Sequence, residues 1–470
     1  MKHLLFLTCG ISVALTLSAQ QADNWYFGVH AGLNFTDTVP IVLTDGSIYT
    51  PEGCSSISDS AGSLLFYTDG ITVWNKLHAV MPNGNGLFGG SSCTQAALVA
   101  AQPGSNTLYY VFTLDEIGGP LGFRYSIVDM SLSNGLGDVT EKNILLQEAV
   151  TEKLTAVSSV DGSETWIVVH GWGTNAFFAY KLTASGINTT PVVSNAGIIH
   201  TTAQIQNTYG QMKFSGCGGR LAVAAGYLDT VEVFDFGVAG GFVSNPVTIP
   251  VYAHVYGVEF SPDNSKLYVT CYDPEGTLLQ FDLLQANQTA IINSKVTLNS
   301  TEDLYALQLA PDGKIYVVKS YGAMLGVINY PDVAGSGCDF VLNGINLDPD
   351  YLGASAALGL PNFVQSDFDS YQKGCSLPTS SVQSVPDNTL LIFPTPASDY
   401  LYFNREVFGN DLFNIFITDM SGNIIAEEKA DLTAANARIS IASLDAGIYF
   451  LQAVNSRKQF NQKIVIARAH

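Results

Sequence analysis

Six polar or aromatic side chains stand at comparable offsets ahead of successive turns: Glu52, Gln95, Lys153, Gln211, Tyr256 and Tyr305, with His254 beside Tyr256. A carboxylate, amides, an amine, phenols and an imidazole are the groups that orient a sugar or a peptide by hydrogen bonding, so these residues form the candidate ligand-binding set. The competing reading is that they hydrogen-bond neighbouring structural units to one another.

Catalytic chemistry leaves no comparable signature. HExxH, GxSxG and GxxxxGK[ST] are absent, and the glycines of Asn83-Gly84-Asn85-Gly86 and Gly89-Gly90 lack the lysine and helix of a phosphate loop, so they read as turns. Carboxylate pairs for glycoside cleavage are defined by their separation, and residues 20–389 hold 33 acids against 12 bases, too many candidates to choose among. No catalytic residue is assigned. Asp348-Pro349-Asp350 offers oxygen ligands that leave calcium open, but EF-hand or nonapeptide spacing is missing, and no metal site or cofactor is assigned. Cys54, Cys93, Cys217, Cys271, Cys338 and Cys375 are an even set that permits three disulfides, with no CxxC spacing for zinc.

The charge is uneven. Residues 390–470 carry 8 acids and 7 bases, net −1, whereas residues 20–389, with 33 acids against 12 bases, carry net −21. Such a field repels phosphate backbones and anionic membranes, which excludes nucleic acid as a partner and leaves neutral sugars, cations and basic proteins.

The elements that must position the candidate residues repeat six times: an apolar strand, a turn of Ser, Pro, Asp and Gly, an apolar-aromatic strand, then an alternating third strand. The clearest copies turn at Ser261-Pro262-Asp263-Asn264 and Ala310-Pro311-Asp312-Gly313. Measured between the ends of the third strands (Asn75, Asp129, Lys181, Asp235, Asp282, Asn329), the repeats are 54, 52, 54, 47 and 47 residues long, one four-stranded blade each. Blades bury their faces only against each other, so the expected fold class is all-β: a β-propeller followed by a small C-terminal β-sandwich. Trp25 to Gly28 and Leu33 to Phe35, with Ala357 to Phe363, are expected to build a seventh blade by strand pairing between the two ends; six or eight blades are the alternatives. The candidate residues then gather at the channel mouth, and Trp74, Trp166 and Trp172 fall on strands packed between blades.

With blades in view, Ser159-Val160-Asp161-Gly162-Ser163-Glu164-Thr165-Trp166 resembles the Asp-box turn of sialidase-type propellers, its glycine one place early. A sialidase needs several arginines to clamp its substrate, and only Arg124 and Arg220 lie in the propeller region.

Both ends of the chain bear on location. Lys2 and His3 precede an apolar run from Leu4 to Leu17 and the small-residue site Leu17-Ser18-Ala19, which reads as a signal peptide over residues 1–19. Cys9 lies inside it and leaves with it, and no segment is apolar for long enough to span a membrane. The expected domains are a propeller over 20–364, a linker over 365–389 and a β-sandwich over 390–470. That last region resembles the C-terminal sorting domain of the type IX secretion system of Bacteroidetes through Pro394 and Pro396, Asp419 and Gly422, Leu444, Gly447 and Tyr449, and Lys463. Pro394-Thr395-Pro396 stands where that family usually has Pro-Asn-Pro. The resemblance implies engagement of the secretion machinery, transport through the outer membrane, removal of the domain, and release or attachment at the cell surface. The Trp25 to Gly28 and Leu64 to Gly70 segments also resemble secreted Bacteroidetes propeller proteins, which bears on fold and location alone.

Two functional classes follow: an exported surface propeller that binds an extracellular glycan, peptide or protein, and a secreted hydrolase or lyase acting on polysaccharide or peptide at the channel mouth. Carboxylates suitably separated at the mouth favour the enzyme, and a shallow aromatic surface favours the binder. The absence of a catalytic motif places binding first.

Overall fold

The structure is a computed structural model that describes residues 20–273, 276–371, 392–393, 397–403, 412–418, 424–431, 438–454 and 459–467. The chain divides into two compact units between Cys375 and Ser376.

Each sequence repeat folds into a small antiparallel sheet, and among the described residues the first unit contains seven. Blade 1 has three strands, Asn24–Phe27, Ala31–Asn34 and Ile41–Leu43. Blades 2 to 7 open with Ser55–Ser58, Ala97–Ala101, Val150–Ser158, Met212–Phe214, His254–Phe260 and Leu304–Leu309. These opening strands contact one another in succession and are innermost. Tyr26 of blade 1 stacks on Tyr67 of blade 2 at 4.6 Å, and Trp25 and Phe35 pack on Tyr316 of blade 7 at 5.6 and 5.5 Å, so the ring is closed and seven-bladed.

The recurring turns have a local cause. Asp161, Asp263 and Asp312 each accept the backbone N–H two residues on, from Ser163 (3.1 Å), Ser265 (2.9 Å) and Lys314 (3.1 Å). The next residue is left-handed in every case: Gly162 at φ 66°, Asn264 at 59° and Gly313 at 75°. Glycine and asparagine adopt that conformation at least cost, which is why the repeat shows Asp-Gly or Asp-Asn there. The Asp-box-like turn at Asp161 is therefore one of the ring's hairpin turns.

Closure of the ring differs from the strand pairing expected of Ala357 to Phe363. Residues 354–364 form one extended segment that touches five blades. Val29 N–H donates to Ser355 O at 2.8 Å, Ala306 N–H to Leu358 O at 3.2 Å, and Asn362 N–H to Cys54 O at 2.8 Å. The Asn362 side chain donates to Leu154 O at 2.8 Å and accepts from Gln95 at 3.4 Å. Partners on blades 1, 7, 2, 4 and 3 can be reached together only from the central channel, so the segment is a plug. Its bridges to Cys54 and Ala156 are parallel, so it runs in the direction of the innermost strands and takes the innermost place beside blade 1 without a continuous ladder.

The expected linker also begins later than residue 365. Gln365–Tyr371 is a 3-10 helix, Ser158 N–H donates to the Ser366 hydroxyl at 3.0 Å, and Phe368 is buried with its ring 5.7 Å from Phe363. The rest of that stretch, like residues 1–19, lies outside the described residues.

The cysteines correct the disulfide expectation. Cys54, Cys93, Cys271 and Cys338 are free and buried, packed as small apolar side chains. Cys217 is disulfide-bonded, and Cys375 lies outside the described residues.

The second unit has two antiparallel sheets. One comprises Ile392–Phe393, Tyr400–Phe403 and Arg438–Ser440; the other comprises Leu412–Thr418, Ile424–Asp431, Gly447–Val454 and Gln459–Ile466. Leu401 and Ile439 from the first meet Ile415, Ile417, Leu451 and Ile464 from the second in one buried core, a β-sandwich.

Candidate functional site

The candidate residues converge because each stands just before or within the first four residues of an innermost strand, and these strands begin at one end of the ring. Three of them are consumed by the fold, and as ligand contacts they are corrected. Gln95 Oε1 accepts from Leu154 N–H (3.2 Å) and Met212 N–H (2.8 Å), and its amide donates to Met212 O (3.1 Å). Gln211 accepts from Leu307 N–H at 3.0 Å. The Lys153 amine donates to the carbonyls of Thr208 (2.7 Å) and Tyr209 (2.6 Å), and burial pushes it down to about 7 against the pull of Glu152. These side chains are sealed from solvent, with polar atoms spent on the backbone of other parts of the ring.

Glu52, Tyr256, Tyr305 and His254 are different, because their side chains meet acids and aromatic rings at this end of the ring. Ser92 joins Glu52 to a second carboxylate: its hydroxyl donates to Glu52 at 3.4 Å and its N–H to Glu116 at 2.8 Å. Glu152 lies beneath, accepting from Thr94 N–H (2.9 Å), the Thr94 hydroxyl (2.8 Å) and Ile117 N–H (2.8 Å). Burial first, then the charge of Glu152, raises the Glu52 carboxyl to about 8, with Glu116 adding to the rise against lowering contacts from Tyr256 and Ser92. The hydroxyl of Tyr256, 3% exposed, lies against Glu52 and Thr94 but closes a well-formed hydrogen bond with neither.

Aromatic rings from three consecutive blades surround this point. Tyr256 meets Tyr305 edge-on at 5.1 Å, Tyr305 stacks on Tyr272 at 5.4 Å, and His254 stacks on Tyr227 at 3.8 Å while its Nδ1 meets Asp229 at 2.9 Å. Tyr209 stands near Glu152 and Glu52, burial being the main cause of its raised phenol. At the same end of the ring Tyr252, Tyr321 and Tyr351 are 83%, 62% and 92% exposed, and all three hold left-handed backbone at φ 60°, 49° and 57°. Left-handed backbone is strained for a bulky side chain, and exposed strained residues concentrate where surfaces bind. Sequence reasoning missed Glu116, Tyr209, Tyr227, Tyr252, Tyr272, Tyr321 and Tyr351. Several sit in the loops between second and third strands, which reach the same end of the ring as the starts of the innermost strands; a search of both loop sets would have found them.

Other chemistry is accounted for elsewhere. The Asp348 carboxylate accepts the N–H groups of Leu352 (2.6 Å) and Gly353 (3.0 Å), and among the described residues no three His, Cys, Asp or Glu side chains are grouped to hold a metal. Trp166 is buried, donating to Val238 O of the next blade at 2.7 Å, and Trp74 lies 5.5 Å from Tyr67. Trp172 stands in the turn after Glu164–Gly171, not on a strand.

The second unit decides where the protein goes. Residues 391–467 match the secretion system C-terminal sorting domain. This region is a sorting domain of the type IX kind. It implies a Bacteroidetes source, engagement of the secretion machinery, and delivery to the outer surface or the medium. Within the domain, Leu444 packs on the core and its N–H donates to Ile441 O at 3.0 Å; Gly447 opens the strand Gly447–Val454. The Tyr449 hydroxyl donates to Asp445 O at 3.0 Å, and Lys463 is in register with Phe450. Pro394, Pro396, Asp419 and Gly422 lie outside the described residues. Among the described residues no helix is long and apolar enough to cross a membrane.

No curated protein matches the chain. Solved structures similar to it include the periplasmic gluconolactonase PpgL of Pseudomonas aeruginosa (13% identity, 89% of this chain and 99% of that one, TM-score 0.37). Others are the β-propeller domain of Myceliophteria thermophila Cps50 (Swd1) (9%, 64% and 94%, 0.36) and a functionally unknown protein of Desulfotomaculum acetoxidans (11%, 77% and 90%, 0.37). These distant likenesses transfer no activity.

Proposed function

We propose that the protein is a non-enzymatic binding propeller, exported through an N-terminal signal at residues 1–19 and its sorting domain, that takes an extracellular glycan or peptide at the channel mouth. The observation that carries this reading is the ring cluster Tyr227, His254, Tyr272, Tyr256 and Tyr305, contributed by blades 5, 6 and 7 around a plugged and therefore shallow mouth. Aromatic rings offer large contact area at low entropic cost, and loop ends on a rigid ring hold them in place. Glu152 supports binding over catalysis, since its oxygens are committed to backbone and hydroxyl donors and it is sealed from solvent.

The test is a glycan and peptide array probed with the full mature chain and with the Tyr272→Ala/Tyr305→Ala double variant, followed by product analysis on each hit. Retention without turnover, reduced at least tenfold in the variant, is the expected result. Turnover of a retained ligand moves the protein to the hydrolase or lyase class, and retention indifferent to both substitutions removes the mouth as the site.

A further inference from the structure

Resting on that reading of the mouth, we infer that it contains a subsite for a cationic group, the ammonium of a lysine side chain in a basic peptide, seated between Glu52 and Glu116 with Tyr256 at its floor. Three observations converge on this point. Two carboxylates share Ser92 as a hydrogen-bond donor, and among the described residues no lysine or arginine is bonded to either. The sealed Tyr256 hydroxyl is directed at Glu52 without a well-formed hydrogen bond, an acceptor left open in a buried place. Around it lie the ring of Tyr305, edge-on to Tyr256, and that of Tyr209, beside the same carboxylates. Carboxylates and aromatic rings together are the surroundings an ammonium prefers.

The shape of the approach selects the carrier. Glu52 is 9% exposed, and the edge-on pair of Tyr256 and Tyr305 provides no flat platform at this position. A slender alkyl stem reaches such a carboxylate, whereas an amine fixed directly on a pyranose brings the bulky ring with it. Between residues 20 and 389 the excess of 33 acids over 12 bases adds a field that draws a polybasic chain toward the propeller.

Binding is then linked to a proton. In the free protein Glu52 faces Glu152, Glu116, Tyr256, Tyr209 and the Cys93 thiol. Lys153 lies beside Glu152 with its amine on the carbonyls of Thr208 and Tyr209. Burial and the neighbouring negative charges keep Glu52 protonated up to about 8. A cation beside it stabilises the carboxylate, so the carboxyl releases its proton as the ammonium enters. Affinity therefore climbs about tenfold per pH unit below about pH 7, about fivefold from pH 7 to pH 8, and then levels off.

The experiment is titration calorimetry of tri-lysine into the full mature chain at pH 6, 7 and 8, each in two buffers of different ionisation enthalpy. Saturable binding, about fivefold tighter at pH 8 than at pH 7 and about ninefold tighter at pH 7 than at pH 6, with close to one proton released at pH 7, is expected. Glu52→Gln keeps the neutral shape of the free-state carboxyl, so its fold is undisturbed, and it should lose the proton release and at least tenfold in affinity. Glu116→Gln should weaken binding while keeping the proton release. Absence of saturable tri-lysine binding, or a Glu52→Gln variant that still releases the proton, overturns the subsite. A glucosamine trimer that binds more tightly than tri-lysine overturns the peptide assignment. A neutral glycan held through Tyr272 and Tyr305 while tri-lysine is silent removes the subsite but leaves the binding mouth standing; silence of both probes and of the array removes both.

Discussion

Glu52 has consequences for the free protein as well as for a ligand. Its carboxyl releases a proton at about 8 in the folded chain and near the ordinary glutamate value when unfolded. Between those values the folded state binds more protons, so this residue makes stability fall as pH rises from about 4.5 to about 8, by up to roughly 1.4 kcal/mol per unit of displacement. Two neighbours act with the opposite sign in other windows: Lys153, pushed down to about 7, adds stability as pH rises above 7, and His170, held near 3 by burial, does so between about 3 and 6.5. Comparing wild type with Glu52→Gln cancels both. Urea unfolding at pH 5 and pH 7.5 should show similar stability at the lower pH and a more stable variant, by the order of 2 kcal/mol, at the higher one. An equal difference at both pH values would mean that Glu52 is ionised in the folded state.

At the scale of elements, the second and third strands of all six repeats were legible because their cues are local. Leu267-Tyr268-Val269 and Ile315-Tyr316-Val317 are apolar-aromatic runs, and the Asp263 and Asp312 turns announce them. Residues 354–364 were not legible in the same way. Ala357 to Phe363 reads as a strand, but its partners are single groups on five different blades, and no local pattern encodes such a set. The inward glutamines were similarly ambiguous: offset placed Gln95 and Gln211 at the mouth end, while only tertiary hydrogen bonds show that their amides are spent on other blades. The plug is expected to be part of the folding unit rather than a tail. A Cβ on Gly359 would lie 2.1 Å from the Glu52 carbonyl oxygen, so Gly359→Ala must displace the plug or the strand start beside it. A chain ended after Cys375 should melt as the propeller of the full chain does, whereas one ended after Gly353 loses the plug and should melt at least 10 °C lower or aggregate, as expected when several buried polar groups lose their partners at about 1–3 kcal/mol each. Equal melting of the two truncations would reduce the plug to a passive tail.

For the whole molecule, the sorting domain and the proposed binding mouth belong to different units. The acidic excess lies before residue 390, while residues 390–470, which hold the sorting domain, are nearly neutral with 8 acids and 7 bases. Because the plug runs with the innermost strands, Gln365–Tyr371 leaves the channel beside Ser158, at the far end of the blade 4 inner strand from the mouth. Chain cleavage beyond Cys375 therefore touches none of Glu52, Glu116, Tyr256, Tyr272 or Tyr305. A protein lacking residues 376–470, expressed in a type IX-competent cell, should accumulate folded in the periplasm instead of at the surface or in the medium, as read by fractionation and immunoblotting. Purified from there, it should bind the array ligand of the full chain with affinity unchanged within about twofold, since no group of the mouth has been removed. Surface delivery of the truncated chain would move the address out of the sorting domain, and a loss of binding on truncation would mean that the second unit contributes to the site.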